Sequence, residues 1–262
     1  MNDKYEVKGG VRALQQRKSW KGGLDHLPNF DSFDIEFSHT GKVLLQTDYT
    51  HATVVYGSSR FIYDGTDRLI QTLEFDGMDA QVATSEYQYF ENTVVWTTRD
   101  ATGAHIRSGV EKYAGKLLTH LETYDANGRI KRLKLFEYVE GKLSKAVSRY
   151  YGSEGSLSEI SISHFDSLGR VVEAFGLTPD GEPNGDGRYT YEYDDEGRKH
   201  RILSYNDLAD SQIPNSVKQF VYECDEQGNW TKRCEYFRFR THAEWTKMIT
   251  TRELTYYLMG ES

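Results

Sequence analysis

Residues 189–198 read Tyr-Thr-Tyr-Glu-Tyr-Asp-Asp-Glu-Gly-Arg, and this short stretch decides the fold. Its three tyrosines stand at every second position, which is the pattern of a half-buried β-strand. Asp194 then offers a carboxylate that can accept backbone N–H groups further round a turn. Gly197 can take a positive φ at little steric cost. The stretch therefore predicts a strand that ends in a tight hairpin turn.

The same turn pattern returns along the chain, with an aromatic residue or Cys before the Asp. The good copies occupy residues 124–129, 165–170 and 224–229. In the middle of the chain the turn glycines are 13 or 14 residues apart, at positions 115, 128, 141, 155 and 169. Each interval leaves about nine or ten residues for a strand, and strands joined by short turns must be antiparallel.

The spacing predicts an all-β chain, a long antiparallel up-and-down meander of short repeats. We expect about 14–16 strands, and open sheets beyond about ten strands usually curl or split. The predicted architecture is therefore a strongly curved or rolled sheet.

The two ends of the chain depart from the repeat. Residues 1–30 lack the motif and are expected to form a basic N-terminal segment, with a short helix over 11–20 that covers a sheet edge. Residues 242–254 fit either a helix or a last strand, since their Thr and Ile content suits a strand. Residues 31–262 are then predicted to form a single repeat domain.

Charge is spread unevenly over the 262 residues. The net charge is -8, and residues 1–24 carry six Lys/Arg against two acids, so the remainder is about -12. An acidic surface argues against nucleic acid as a ligand and favours a basic partner. The N-terminus has no apolar run like that of a signal peptide, and no 18-residue apolar stretch occurs. We therefore expect a cytoplasmic protein with no membrane contact.

Motifs that carry chemistry are missing from the sequence. The eight histidines show no metal-ligand spacing, and no Gly-rich phosphate loop or nucleophile elbow occurs. Cys224 and Cys234 are too few for a disulfide scaffold. The sequence therefore predicts a protein that is not an enzyme and that uses no cofactor or metal.

The repeated turn resembles the YD repeats of the rearrangement-hot-spot (RHS) and teneurin group, in which Tyr-Asp-x-x-Gly-Arg-Leu is embedded in aromatic-rich strands. The resemblance covers roughly residues 33–240, and it implies a β-repeat fold with Asp125, Asp166, Asp194 and Asp225 at structural positions. The chain departs from the large toxin-enclosing members: it is short, shows no Pro-x-x-x-x-Asp-Pro-x-Gly motif, and carries no toxin-like domain after the repeats.

These observations favour a protein-binding module. The first hypothesis is a cytoplasmic immunity protein that neutralises a basic bacterial toxin domain, with a partner surface at Glu192, Asp195, Glu196, Trp230 and Tyr236. The alternatives are a carbohydrate- or cell-surface-binding module, which needs exposed aromatic residues on one face, and a structural or chaperone-like fragment of an RHS-type delivery shell.

Overall fold

The computed structural model describes residues 11–21, 32–50, 54–205, 213–240 and 244–256, and every regular element in them is a β-strand. The strands are β1 (Val11–Lys21), β2 (Ser32–Phe37), β3 (Val43–Thr50), β4 (Val54–Tyr63), β5 (Leu69–Asp76), β6 (Gln81–Phe90), β7 (Thr93–Asp100), β8 (His105–Ala114), β9 (Leu117–Asp125), β10 (Ile130–Val139), β11 (Lys142–Tyr151), β12 (Leu157–Phe165), β13 (Val171–Leu177), β14 (Pro183–Tyr193), β15 (Lys199–Tyr205), β16 (Ser216–Cys224), β17 (Trp230–Phe239) and β18 (Thr246–Tyr256).

The predicted all-β antiparallel meander is confirmed, and the 18 strands belong to one sheet. Consecutive strands pair in order, for example β2 with β3 and β11 with β12. The first strand, β1, pairs antiparallel with β18 over ten residue pairs and with β2 over four. The sheet therefore closes on itself through β1, and the expectation of a strongly curved or rolled sheet is wrong in this detail.

The helix expected over residues 11–20 is also wrong. Leu14 and Gln16 are two residues apart and both buried, so they lie on one face of a strand. The expected count of strands was too low because residues 1–30 lack the repeat and hide β1. At the other end, Thr246–Tyr256 is a strand, and residues 242–243 lie outside the described part of the chain.

The turns have the predicted geometry. In the turn after β14, the Asp194 N–H donates to the carbonyl oxygen of Arg198, and the Gly197 N–H donates to that of Asp194. Gly197 has φ = 80°. The same two bonds close the turns that begin at Asp125, Asp166 and Asp225. Where the glycine comes earlier in the turn, a non-glycine residue takes the positive φ, as at Asp67 and Asp79.

The described residues fall into two compact units. Unit 1 takes those among 1–85, 220–237 and 245–262, and unit 2 takes those among 86–219 and 238–244. Unit 1 has an apolar core of Val11, Leu14, Ile35 and Phe37. In unit 2 the buried positions lie along strands, and several carry small side chains such as Ala146 and Ser148.

Candidate functional site

The five predicted partner-binding residues are divided between the two units. Glu192, Asp195 and Glu196 lie in unit 2, on β14 and in the turn after it, whereas Trp230 and Tyr236 lie on β17 in unit 1. Glu192 pairs with Arg201 at 3.7 Å between Oε2 and Nη1. Its acidic neighbours are exposed, as a partner surface requires, but they belong to the repeated turn.

Trp230 is a core residue and not a partner anchor, so this prediction is corrected. Its ring is 2% exposed. The Arg252 guanidinium lies 3.4 Å from a ring centroid of Trp230, and that of Arg233 lies 5.1 Å away. Arg252 is held in turn, because its Nε donates to Gln16 Oε1 at 3.0 Å. Because Trp230 is buried and contacts both guanidiniums, it is not exposed to a partner.

In unit 2, strands β10–β13 have two chemically different faces, because successive side chains of a strand point to opposite sides. One face carries the cross-strand rows Ala146–Ser163–Ala174 and Ser148–Ser161–Gly176. We call it the small-residue face. The opposite face, here called the aliphatic face, carries Leu133, Leu135, Val147, Ile160, Ile162, Phe175 and Leu177.

Two cations of β10, Arg132 and Lys134, lie on the small-residue face, opposite Tyr150 and Ser148 of β11. Arg132 Nη2 donates to Ser148 Oγ at 3.0 Å, and the guanidinium lies 5.1 Å from the Tyr150 ring centroid. The Arg132 Nε is buried and has no hydrogen-bond partner. Lys134 Nζ lies 5.0 Å from the Phe136 ring centroid. Burial, and then the charge of Arg132, lower the pKa of Lys134.

Within the described residues, neither Arg132 nor Lys134 has an ion pair. Two acids share this face, each two strands away: Glu111 at the level of Lys134 and Glu159 at that of Arg132. Both are engaged, Glu111 by the Tyr113 hydroxyl and Glu159 by the Asn184 amide. The register thus leaves two positive charges side by side without a carboxylate.

Three cations of the aliphatic face have carboxylate partners. Lys145 pairs with Glu137 at 3.3 Å, Arg188 with Glu173 at 3.7 Å, and Lys112 with Glu122 at 2.9 Å. Arg132 and Lys134 differ from these three, because they are neighbours on one face of one strand and neither has such a partner. The sequence carries a signal for this pair, since the two cations lie two residues apart on one strand.

A second surface feature lies in unit 1. Val54 and Tyr56 of β4 are 59% and 63% exposed, and Met78, in the turn between β5 and β6, is 87% exposed. The pairing of Gly57 with Asp76 brings these segments together. Large apolar side chains that share one exposed site are typical of interaction surfaces.

Some kinds of site are absent from the described residues. No group of three His, Cys, Asp or Glu side chains is placed to hold a metal ion in that part of the chain. Across the same ranges, no helix of a length and apolarity suited to crossing a membrane occurs. Cys224, which is exposed, and Cys234, which is buried, are both free thiols.

Comparison with known proteins finds likeness at the level of structure only, since no known family profile and no curated protein sequence matches. A porin-like protein from Bacteroides uniformis superposes with a TM-score of 0.52 at 12% identity, over 94% of this chain and 98% of that one. A porin-like protein from Bacteroides vulgatus gives 0.39 at 10% identity, over 95% and 99%. TcdB2-TccC3 without its hypervariable C-terminal region gives 0.29 at 13% identity, over 89% of this chain and 15% of that one.

The first of these likenesses shows that the chain shares the fold of a porin-like protein. The expected cytoplasmic location is corrected by this finding.

Proposed function

We propose that unit 2 receives a small water-soluble ligand against its small-residue face, which admits small solutes and excludes large ones. The observation that carries the proposal is the chemical difference between the two faces of β10–β13. Serine, alanine and glycine provide short side chains and hydroxyl groups on one face, whereas aliphatic side chains occupy the other.

The pairing of β1 with β18 joins the two ends of the meander. An open meander leaves two rows of unpaired N–H and C=O groups at its end strands, which this pairing removes. Ten residue pairs join these two strands. The uniform turn geometry supports in addition the proposal that the chain is a short relative of the YD-repeat proteins.

The proposal is tested by thiol accessibility at two neighbouring residues of β12 with opposite directions. Ser161→Cys and Ile162→Cys are made in a Cys224→Ser background, which removes the exposed native thiol. We expect the thiol at 161 to react with a small charged methanethiosulfonate and to resist a bulky polyethylene-glycol maleimide. If the thiol at 161 reacts equally fast with both reagents, the small-residue face is open and the proposal fails.

The thiol at 162 is the matched control. It reacts with both reagents if the aliphatic face is in water, and with neither if that face is in lipid or against a partner. Comparing the purified protein with membranes from expressing cells separates these two cases.

A second candidate function, binding of a basic protein domain, is favoured by the exposed group of Val54, Tyr56 and Met78. Asp76 and Asp79 adjoin this group in the same turn, so an apolar centre has an acidic border. Interfaces commonly combine an apolar centre with a polar rim. The net charge of -8 would speed association with a basic partner.

This candidate is tested by crosslinking and mass spectrometry in the cell of origin. A stoichiometric basic partner lost in Tyr56→Ala, but kept in Phe90→Ala, supports it. Phe90 is the control because it is equally exposed, at 60%, and lies in unit 2. Equal loss in both variants, or a partner retained by both, rules the site out.

A further inference from the structure

We propose that Arg132 and Lys134 bind a phosphate group of the ligand, together with the hydroxyl of Ser148. This inference rests on the proposed function, since it names the chemical class of solute that the small-residue face receives.

The first step is convergence of donors. Arg132 and Lys134 stand two residues apart on one face of β10, about 7 Å along the strand. Ser148 lies directly opposite Lys134 and accepts a hydrogen bond from Arg132, so the three groups share one spot on the sheet. A guanidinium has five N–H donors. That of Arg132 directs one to Ser148, while its Nε has no partner.

The second step is charge. A cation partly withdrawn from water is unfavourable unless an anion compensates it, and here two cations lie side by side. The acids of the same face, Glu111 and Glu159, are two strands away, about 9.5 Å at the usual strand spacing. Each already accepts a hydrogen bond from another side chain. An anion from solution is the partner that this arrangement lacks.

The third step concerns the side chains around these three groups. Ser161 and Ser163 of β12 continue the small-residue face beyond Ser148 with short hydroxyl side chains. The row through Ser148 and Ser161 reaches Gly176, where an added Cβ would be 2.4 Å from Asn184 Nδ2. Asn184 thus bounds the serine-lined area on one side, and Tyr150 bounds it near Arg132.

The donor set favours phosphate over carboxylate. A tetrahedral phosphate presents several acceptor oxygens, which can take a guanidinium fork, an ammonium and a hydroxyl at once. A single carboxylate has only two oxygens, and a guanidinium fork can engage both of them. The protein as a whole is acidic, so an anion is repelled elsewhere on the chain and attracted to this positively charged pair.

The experiment is calorimetric titration of the purified full chain with pyrophosphate at low ionic strength. We expect binding by the native chain, and affinity reduced about tenfold or more in Arg132→Gln and in Lys134→Gln, as each removes charge-assisted hydrogen bonds. Lys145→Gln is the matched control, since Lys145 lies on the aliphatic face of the next strand and is paired with Glu137. Its affinity should equal that of the native chain.

If Arg132→Gln does not fold, Arg132→Lys serves as the second variant. It keeps the positive charge at position 132 and removes the forked N–H donors of the guanidinium. It should bind more weakly than the native chain and unfold at the same temperature. The inference is overturned if the native chain does not bind pyrophosphate, or if the β10 variants bind as tightly as Lys145→Gln.

The two proposals fail separately. A protected thiol at position 161 with no pyrophosphate binding removes the phosphate site and leaves the enclosed face. Binding that depends on Arg132 in a protein whose position 161 is fully open removes the enclosed face and leaves an open phosphate site.

Discussion

At the scale of single residues, the turn aspartates tie the fold to pH. Asp100 Oδ1 accepts hydrogen bonds from the Thr102 hydroxyl and from the backbone N–H groups of Thr102 and Ala104. These bonds, that of the Thr102 side chain first, hold the pKa of Asp100 below its usual range. Asp125 is held low in the same way, chiefly by the Arg129 backbone N–H. The repeat thus sets many carboxylates to be ionised in the folded chain.

The first prediction follows from that direction. A carboxylate whose pKa is lower in the folded than in the unfolded state contributes stability above the unfolded value, about 3.9, and loses it as the pH falls through the folded value. We expect the melting temperature to fall below about pH 4. Asp100→Asn keeps an acceptor but cannot titrate, so its melting temperature should fall less steeply than that of the native chain. If the melting temperatures of the native chain and of Asp100→Asn fall equally as the pH is lowered, Asp100 plays no part in the acid sensitivity.

The second prediction concerns Gly109 on β8. A Cβ there would lie 2.3 Å from Cζ2 of Trp96, the residue paired with it on β7. The Trp96 indole covers Gly109, an arrangement by which an aromatic side chain compensates for the destabilising effect of glycine in a strand. We expect Gly109→Ala to reduce the free energy of unfolding in urea by about 1–3 kcal/mol, the usual effect of overpacking. Gly152→Ala is the control and should be near neutral, since its Cβ would meet only Ser156, at 3.5 Å.

At the scale of elements, the pairing of β1 with β18 joins the first strand of the meander to the last. Gln15 pairs with Glu253, and Arg17 pairs with Thr251 two residues further along. Directly opposite residues have Cβ atoms about 4.5–5.5 Å apart, whereas diagonal neighbours are about 7–8 Å apart. A disulfide can therefore report the register of closure.

The third prediction is that Gln15→Cys with Glu253→Cys, in a Cys224→Ser background, forms a disulfide under mild oxidation and raises the melting temperature. A bond that closes nearly the whole chain removes much unfolded-state entropy, by up to about 5 kcal/mol in the chain-entropy account. Gln15→Cys with Thr251→Cys is two residues out of register and should crosslink poorly. Equal crosslinking of the two pairs would mean that the strands do not hold this register.

The elements also show what a single sequence can and cannot give. The hairpin turns were predictable because Asp and Gly act locally, through hydrogen bonds between residues two to four positions apart. Closure was not predictable, since β1 lies outside the repeat and its partner β18 lies far along the chain, from Lys21 paired with Lys247 to Val11 paired with Tyr256. Trp230 was misread because an aromatic in a strand gives no sign of whether arginines such as Arg252 will cover it. Arg132 and Lys134 could be recognised as a candidate site only from the strand register, which places the acidic residues of the same face two strands away.

At the scale of the whole molecule, the width of the aliphatic face decides whether lipid could surround it. On β10 and β12 the aliphatic face has two successive apolar positions, Leu133 with Leu135 and Ile160 with Ile162. Two positions span about 7 Å, whereas the apolar band of an outer-membrane barrel is about 25 Å tall. Arg149 lies within the same band, opposite Leu133 and Ile160.

The fourth prediction is that alkaline carbonate releases the protein from membranes without detergent. An arginine at the bilayer midplane costs about 2–4 kcal/mol, and the ion pairs Lys145–Glu137 and Arg188–Glu173 adjoin the narrow apolar band. Lipid around this face would therefore be unfavourable, while contact with a membrane surface would not be. Replacing Arg149 with Leu widens the apolar band and should increase the fraction that only detergent extracts. If the native chain already requires detergent, the aliphatic face meets lipid, and the thiol at position 162 must then be inaccessible to charged reagents.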